Sequence, residues 1–426
     1  MPVAQFARPR VAAPRLEREI LVLVSSGRAR SRKEIAESLG IAPSTVSQRV
    51  QAMLASGALE ETGEGASSGG RRPRALRVPG STGYLGVVDV GGTHARLGIL
   101  RHGGELVTTT EVALTVADGP EPVLTQVTAA LRELAGTVGS DVGSSGAGSS
   151  GADGSRANDS GAGKAEKNDS ARSAADSGRL LGVGISLPGP VDVARRALDS
   201  PSRMPGWSGF DVGSWLEDAL DVPAVVENDA NAMAVGEHFG HPRRTRHSVS
   251  VKAGSAIGAG ILVDDRLHRG AGGAAGDITH TRIPAAGDTP CSCGNRGCLE
   301  TVASGAALVR MLREQGYDVA ATADVLDLVR DAEPVATTLT RTAGRHLGEV
   351  LCAVVNFFNP GAVYLGGALS TLEPFVSAIR SQIYEGAHPL MTRDLVIAPS
   401  ALGADANLVG VGRLLEDALV PHALAG

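Results

Sequence analysis

The chain has 426 residues, of which 42% are hydrophobic and 20% charged, with a net charge of −6. That is the composition of a folded globular chain with room for two or three domains, and it excludes fibrous and wholly disordered classes. No apolar run reaches the roughly 18 residues of a membrane span, and residues 1–10 lack the apolar core of a secretory signal, so a cytoplasmic location is expected. The charge is uneven. Residues 1–80 hold 13 Lys and Arg against 7 Asp and Glu, a balance of +6 that leaves −12 for the remainder. A basic head on an acidic body points to a polyanion met by the head alone.

Leu16, Ile20, Leu23 and Val24 recur at helical spacing and predict a first helix over 13–25. Ser31 and Glu34 form a capping-box pattern that opens a second, with Ile35, Ala36 and Leu39 as its buried stripe and Gly40 as its stop. Pro43 suits the first turn of a third helix, whose Val46, Val50, Met53 and Leu54 face inward. Two short helices joined at a glycine are the helix-turn-helix pattern. The outer side of the third helix carries Ser44, Thr45, Ser47, Gln48 and Arg49, where a recognition helix meets the major groove. Gln48 can bond an adenine edge, and Ser44, Thr45 and Ser47 can reach bases or phosphates. Arg49 suits phosphate, as do Arg71, Arg72 and Arg74 in the segment that follows. That segment, with Leu76 and Val78, reads as a two-stranded wing with a basic tip, ending in a linker at Pro79-Gly80.

From Tyr84 the texture becomes that of an α/β domain. Strands are expected at 84–90, 96–100 and 106–113, a helix at 120–134, and a buried strand at 180–187. Residues 136–178 are dominated by Gly, Ser, Ala and Asp and are expected to form a disordered insertion, because they cannot bury enough surface to offset their ordering entropy. Asp89, Gly91, Gly92 and Thr93 follow the first strand. Glycines there let a backbone approach phosphate, and Asp89 can hold magnesium directly or through water, although a plain β-turn reads the same way. Gly254, Ser255 and Gly258 lie in a second glycine-rich stretch, and Asn359-Pro360-Gly361 is a third glycine turn, followed by an expected strand at 362–365 and then Gly366-Gly367. Glu227-Asn228-Asp229-Ala230-Asn231 starts a helix. Its carboxylate can act on a hydroxyl, yet the local pattern favours a plain helix N-cap.

Cys291, Cys293 and Cys298 cluster within eight residues, which favours a metal over disulfides. With His280 they complete a tetrahedral zinc shell with no open position, the mark of a structural site.

Four motifs now combine in order: Asp89-Val-Gly-Gly-Thr93, Gly184-Ile-Ser-Leu-Pro-Gly-Pro-Val-Asp192, Glu227-Asn-Asp-Ala-Asn231, and Cys291-Ser-Cys-Gly-Asn-Arg-Gly-Cys-Leu-Glu300. From Tyr84 to about Ala418 the chain resembles the ROK family of repressors and sugar kinases, and the helix-turn-helix with Gly-Gly-Arg-Arg-Pro is similar to that of the family's repressor branch. The resemblance implies a two-lobed, actin-like (ribonuclease-H-like) body over 81–426 behind a winged head over 1–80, with ATP at the glycine turns and a sugar in the cleft. It assigns Asp229 as the catalytic base of a kinase, and Asn228, Asp229, Asp277, His280 and Glu300 as sugar contacts. Departures stand beside it. His94 replaces the kinases' lysine, Ala256 replaces a glycine of the second phosphate turn, Asp277 is a methylene shorter than the family's Glu, Thr279 replaces a glycine, and no Asn lies near Pro201.

The expected function is a DNA-binding regulator that senses a sugar or sugar phosphate, assembled as a dimer or dimer of dimers on operator DNA. The competing expectation is an ATP- and Mg²⁺-dependent sugar kinase that retains a DNA-binding head.

Overall fold

The computed structural model describes residues 13–25, 29–62, 75–78, 83–101, 104–144, 179–202, 204–241 and 245–425. The head contains α1 (Ala13–Ser25), α2 (Arg32–Leu39), α3 (Pro43–Ala55), β1 (Glu60–Thr62) and β2 (Ala75–Arg77). Ser31 caps α2 by accepting from the Glu34 N–H. Glu34 reaches one residue further back than a capping box requires, accepting from the Arg30 N–H at 2.7 Å. Gly40 ends α2 in the left-handed region at φ 62°, where a residue without Cβ carries no penalty. Leu16, Ile20, Ile35, Val46, Val50, Met53 and Leu76 close one core under all three helices and the wing. β1 and β2 pair antiparallel. Arg71, Arg72, Arg74 and Pro79-Gly80 lie outside the described residues.

The body holds two sheets with the same wiring. In the first, β3 (Tyr84–Val90), β4 (His94–Arg101) and β5 (Glu105–Ala113) form an antiparallel meander, and β6 (Leu180–Leu187) and β9 (Ala224–Asn228) add parallel to β3, giving the order β5-β4-β3-β6-β9. β7 (Val191–Asp192) and β8 (Ala197–Leu198) make a small ribbon between β6 and β9. In the second sheet β10 (Ser248–Ala253), β11 (Ile257–Val263) and β12 (Arg266–Leu267) form the meander, and β13 (Ala362–Gly366) and β14 (Val396–Pro399) extend it in parallel, giving β12-β11-β10-β13-β14. A meander followed by parallel additions, made twice, is the two-lobed actin-like plan.

Helices α4 (Pro120–Ser144) and α5 (Val212–Leu220) cover one face of the first sheet. α4 runs past the expected end at Leu134. Leu131, Leu134 and Val138 form a buried stripe, so residues 136–144 are helical, and 145–178 lie outside the described residues. The second sheet is covered on one face by α7 (Glu300–Ala303), α8 (Gly305–Glu314), α9 (Thr322–Arg330), α10 (Pro334–Phe358) and α11 (Glu373–Gly386), with the short α12 (Pro389–Thr392) beyond them. α6 (Asp229–Gly240) and the C-terminal α13 (Ala406–Ala425) form the middle layer. α13 covers the other face of the first sheet through Leu408, Val411 and Leu415, and α6 lies on β10 and β11. The two helices cross at Gly236 and Gly410. A Cβ on Gly236 would overlap the Ala406 carbonyl, and one on Gly410 the Ala232 carbonyl, so only glycine permits this approach. α1 of the head comes against α13. Among the described residues no helix is long and apolar enough to cross a membrane.

Candidate functional site

In the head, Ser44, Thr45, Ser47 and Gln48 stand exposed on α3 while Val46 and Val50 are fully buried, so the polar face is free to meet DNA. Arg49 is half-buried, and its guanidinium lies 3.4 Å from Glu17 on α1; part of its charge is spent inside the head.

The body's polar centre lies where the two lobes meet. Asp89 on β3 accepts from Ser186 Oγ of β6 at 2.6 Å and from Asn407 Nδ2 of α13 at 2.8 Å. Asn407 also donates to the Asp229 carbonyl at 3.2 Å. Asn228 is the N-cap of α6, accepting from the Asn231 N–H, as the local pattern allowed. Its amide donates to the Gly189 carbonyl at 2.8 Å and to Asp229 Oδ1 at 3.2 Å. Asp229 Oδ1 also accepts from the Ala230 N–H at 2.8 Å. Beneath them the fully buried Glu227 is clamped by Arg269, whose Nε and Nη2 donate to one oxygen at 2.9 and 2.6 Å.

Lys252, the penultimate residue of β10, joins the two carboxylates. Its Nζ donates to Asp229 Oδ2 at 2.7 Å and lies 3.9 Å from Asp89 Oδ2. Burial disfavours its charge, but Asp229 and Asp89 outweigh that and raise its pKa above the ordinary lysine value. Sequence reasoning missed Lys252, Ser186, Asn407 and Arg269. A lone lysine in phase with the serines of the alternating strand Ser248–Ala253 was the available signal, since lysine is almost never buried unpaired.

The residues expected at phosphates are placed as follows. Gly91, Gly92 and Thr93 turn between β3 and β4, with Gly92 and Thr93 exposed. Gly254 and Ser255 form the β10–β11 turn, and their carbonyls accept from the Gly305 and Ala306 N–H groups at 2.8 and 3.1 Å, while Ser304 Oγ accepts from Ala307. The first N–H groups of α8 are thereby spent within the chain instead of facing an anion. Gly258 lies within β11 against Ala230, and Gly366 and Gly367 lie close to Met233 and the Ala253 carbonyl. A divalent cation does not fit between Asp89 and Asp229, where an ammonium already stands.

The second cluster lies in the long connection from β12 to α7. His280, Cys291, Cys293 and Cys298 place one ligand atom each within 4.8 Å of one another. Cys293 Sγ and Cys298 Sγ are 3.8 Å apart, and Cys291 Sγ is 3.5 Å from His280 Nδ1. Tetrahedral zinc would require about 3.8 Å for a sulfur pair and about 3.6 Å for sulfur and nitrogen, so the group fits. Burial, then the neighbouring thiols, push the Cys298 thiol up to about 12; a cation would relieve that crowding by neutralising thiolates. Glu300 is buried beside it, with Oε2 4.0 Å from His280 Nδ1. Asp277 is exposed. The cysteine loop approaches the first lobe through Ser292 Oγ and Ser202 Oγ, 3.4 Å apart, and the 189–202 loop is the one that Asn228 holds. Both clusters therefore border a shared loop.

A winged helix-turn-helix head on an actin-like sugar-kinase body, with polar groups gathered between the lobes, defines the class of this protein. Residues 169–418 match the ROK family and residues 15–60 a winged helix-turn-helix DNA-binding family; the chain belongs to the ROK family. It is similar to the xylose repressor of Bacillus spizizenii, at 28% identity over 387 residues that cover 90% of each chain. It is also similar to a glucokinase of Streptomyces coelicolor, at 30% identity over 58% of this chain and 86% of that one. Its fold matches the crystal structure of a ROK family transcriptional regulator homologous to the E. coli MLC protein, with TM-score 0.68, 22% identity, and 96% and 99% of the two chains covered. A ROK family glucokinase from Streptomyces griseus in complex with glucose and AMPPNP aligns with TM-score 0.59, 25% identity, and 78% and 98% coverage.

Proposed function

We propose that this chain is a sugar-responsive transcriptional repressor. Residues 1–80 hold operator DNA, and the cleft of residues 81–426 binds a neutral sugar, for which a pentose such as xylose is the first candidate. The observation that carries the reading is that α3 exposes Ser44, Thr45, Ser47 and Gln48 at the head of a chain whose similarity to xylose repressors runs through head and body together. In this reading Gln48 reads a base edge, and Arg71, Arg72 and Arg74 grip phosphate.

Asn228, Asp229, His280 and Glu300 surround the sugar, with Asp277 at the rim. Carboxylates give charge-assisted bonds to hydroxyls. His280 turns Nδ1 to the cysteines, which directs Nε2 to the ligand. One structural zinc, held by His280, Cys291, Cys293 and Cys298, fixes the loop that carries His280 and leads into Glu300. Two copies of the chain read two half-sites, whose spacing tolerates little change. A sugar that binds one lobe arrangement better than the other then releases DNA.

Anisotropy of the full chain on duplexes from its own upstream DNA, with and without xylose, tests the reading. Salt-dependent binding released by the sugar supports it. Binding that is unaffected when Arg71, Arg72 and Arg74 are all replaced by Ala, with an unchanged salt slope, would overturn the assignment of the head. The second reading, an ATP-dependent sugar kinase with a DNA head, draws on Asp89 and Asp229 lying in one network. It predicts sugar-dependent ATP consumption by the wild-type chain.

A further inference from the structure

Lys252 is the only charged residue of β10, and its strand neighbours on either side are Gly258 and Gly366, so no side chain crowds it from the flanking strands. Its ammonium is bonded to Asp229 from the α6 side and stands 3.9 Å from Asp89 on the first lobe. A carboxylate offers about four lone-pair sites. On Asp229, Oδ1 accepts from Ala230 N–H and Asn228 Nδ2, and Oδ2 from Lys252. One site remains on Oδ2, enough for a single hydroxyl.

Resting on the sensor reading of the cleft, we propose that Lys252 is a tethered counter-ion between Asp89 and Asp229 that keeps a divalent cation from settling on these carboxylates. It makes the cleft a metal-independent site that binds a sugar hydroxyl on Asp229 and does not phosphorylate it. Two physical arguments support this. Mg²⁺ demands oxygen ligands at about 2.0–2.1 Å in near-octahedral order, and an ammonium bonded to Asp229 Oδ2 occupies that approach. Two positive centres a few ångströms apart in a partly desolvated cleft also repel strongly. The trio of Asp89, Asp229 and Lys252 carries one net negative charge, so it selects a neutral polyol over an anionic one. Lys252 is thus a specificity-determining residue.

The test uses the full-length protein and Mn²⁺ as a probe, read by the loss of the free-ion signal in electron paramagnetic resonance. Wild-type protein is expected to bind no Mn²⁺ that depends on Asp229. Lys252→Met and Lys252→Thr should each gain one Mn²⁺ per chain, with affinity raised about tenfold or more by two freed carboxylates, and a further Asp229→Asn change should abolish the gain. Circular dichroism and cooperative thermal unfolding report the fold of each variant. Absence of any gain in folded variants overturns the proposal, as does wild-type Mn²⁺ binding that Asp229→Asn removes. Unfolding of both variants also overturns it, because Lys252 would then be a structural counter-ion. Failure of the sensor reading is seen separately, as operator binding by the wild-type chain that no sugar affects.

Discussion

Replacing Asp229 by Asn tests the sensing cleft at one atom. The substitution keeps the shape, removes the charge and presents an amide where Oδ2 met Lys252. The Asp229 side chain is 17% exposed, so its pair with Lys252 lies between surface pairs, worth little, and buried pairs, costly to break; stability should fall by about 1–3 kcal/mol. Lys252 retains Asp89 as a partner 3.9 Å away, which limits the loss. The ligand loses one charge-assisted hydrogen bond, worth about 1.5–3 kcal/mol. At tenfold per 1.4 kcal/mol, the half-maximal inducing concentration should rise about 10- to 150-fold. Full release from nearly all bound to nearly all free takes a preference of about 5.5 kcal/mol, so the loss removes a large share of the driving force. Operator affinity without sugar should stay near wild type, since the DNA contacts proposed above are in residues 1–80. The assay is operator anisotropy titrated with xylose, well below the unfolding temperature. A folded Asp229→Asn protein released at the wild-type sugar concentration, within about twofold, would refute the placement of the sensor in this cleft.

Gln48→Ala should change base preference at one operator position by about 1–3 kcal/mol, measured by competition among single-base operator variants; a uniform loss across all variants would place Gln48 on phosphate instead. Cys293→Ser should lose one zinc per chain by elemental analysis and expose the 281–299 loop to proteolysis, because structural metal binding is coupled to folding; unchanged zinc content would refute the ligand set. Gly410→Ala should destabilise by about 1–3 kcal/mol or more through overpacking, read as a lowered unfolding temperature, whereas Gly412→Ala, whose Cβ would first meet the side chains of Leu100 and Val87 and not backbone, should cost less. Sugar-dependent ATP turnover by the wild-type chain should be at background in a coupled assay, and turnover abolished by Asp229→Asn would restore the kinase reading.

The head was legible because its signals are local. Ser31, Gly40 and Pro43 mark helix ends by their own backbone and side-chain chemistry, and the 3.6-residue stripe of Val46, Val50 and Met53 names the buried face. The cysteine cluster was legible for the same reason, being nearly contiguous. The end of α4 was not, because Gly136, Thr137 and Gly139 are poor helix formers, and only the tertiary burial of Val138 carries the helix across them. Gly258, Gly366 and Gly367 read as phosphate turns in sequence, and what the sequence did not show is that two of them end or lie inside strands and that a Cβ on each would meet neighbouring atoms of the chain. Lys252 is 23 residues beyond Asp229 and further still from Asp89, so the pairing that defines the cleft exists only once both sheets are folded.

The crossing of α6 and α13 has a mechanical consequence. Helices kept apart by side chains can shear past one another by small rotamer adjustments. At Gly236 and Gly410 backbone meets backbone, so no side-chain cushion lies between the helices at that point. The close crossing favours movement of the pair as one unit. Asp229 is the first residue of α6, and α1 of the DNA-binding head rests against α13. If the proposed sugar binds at Asp229, a shift imposed there would be carried along this pair of helices toward the head.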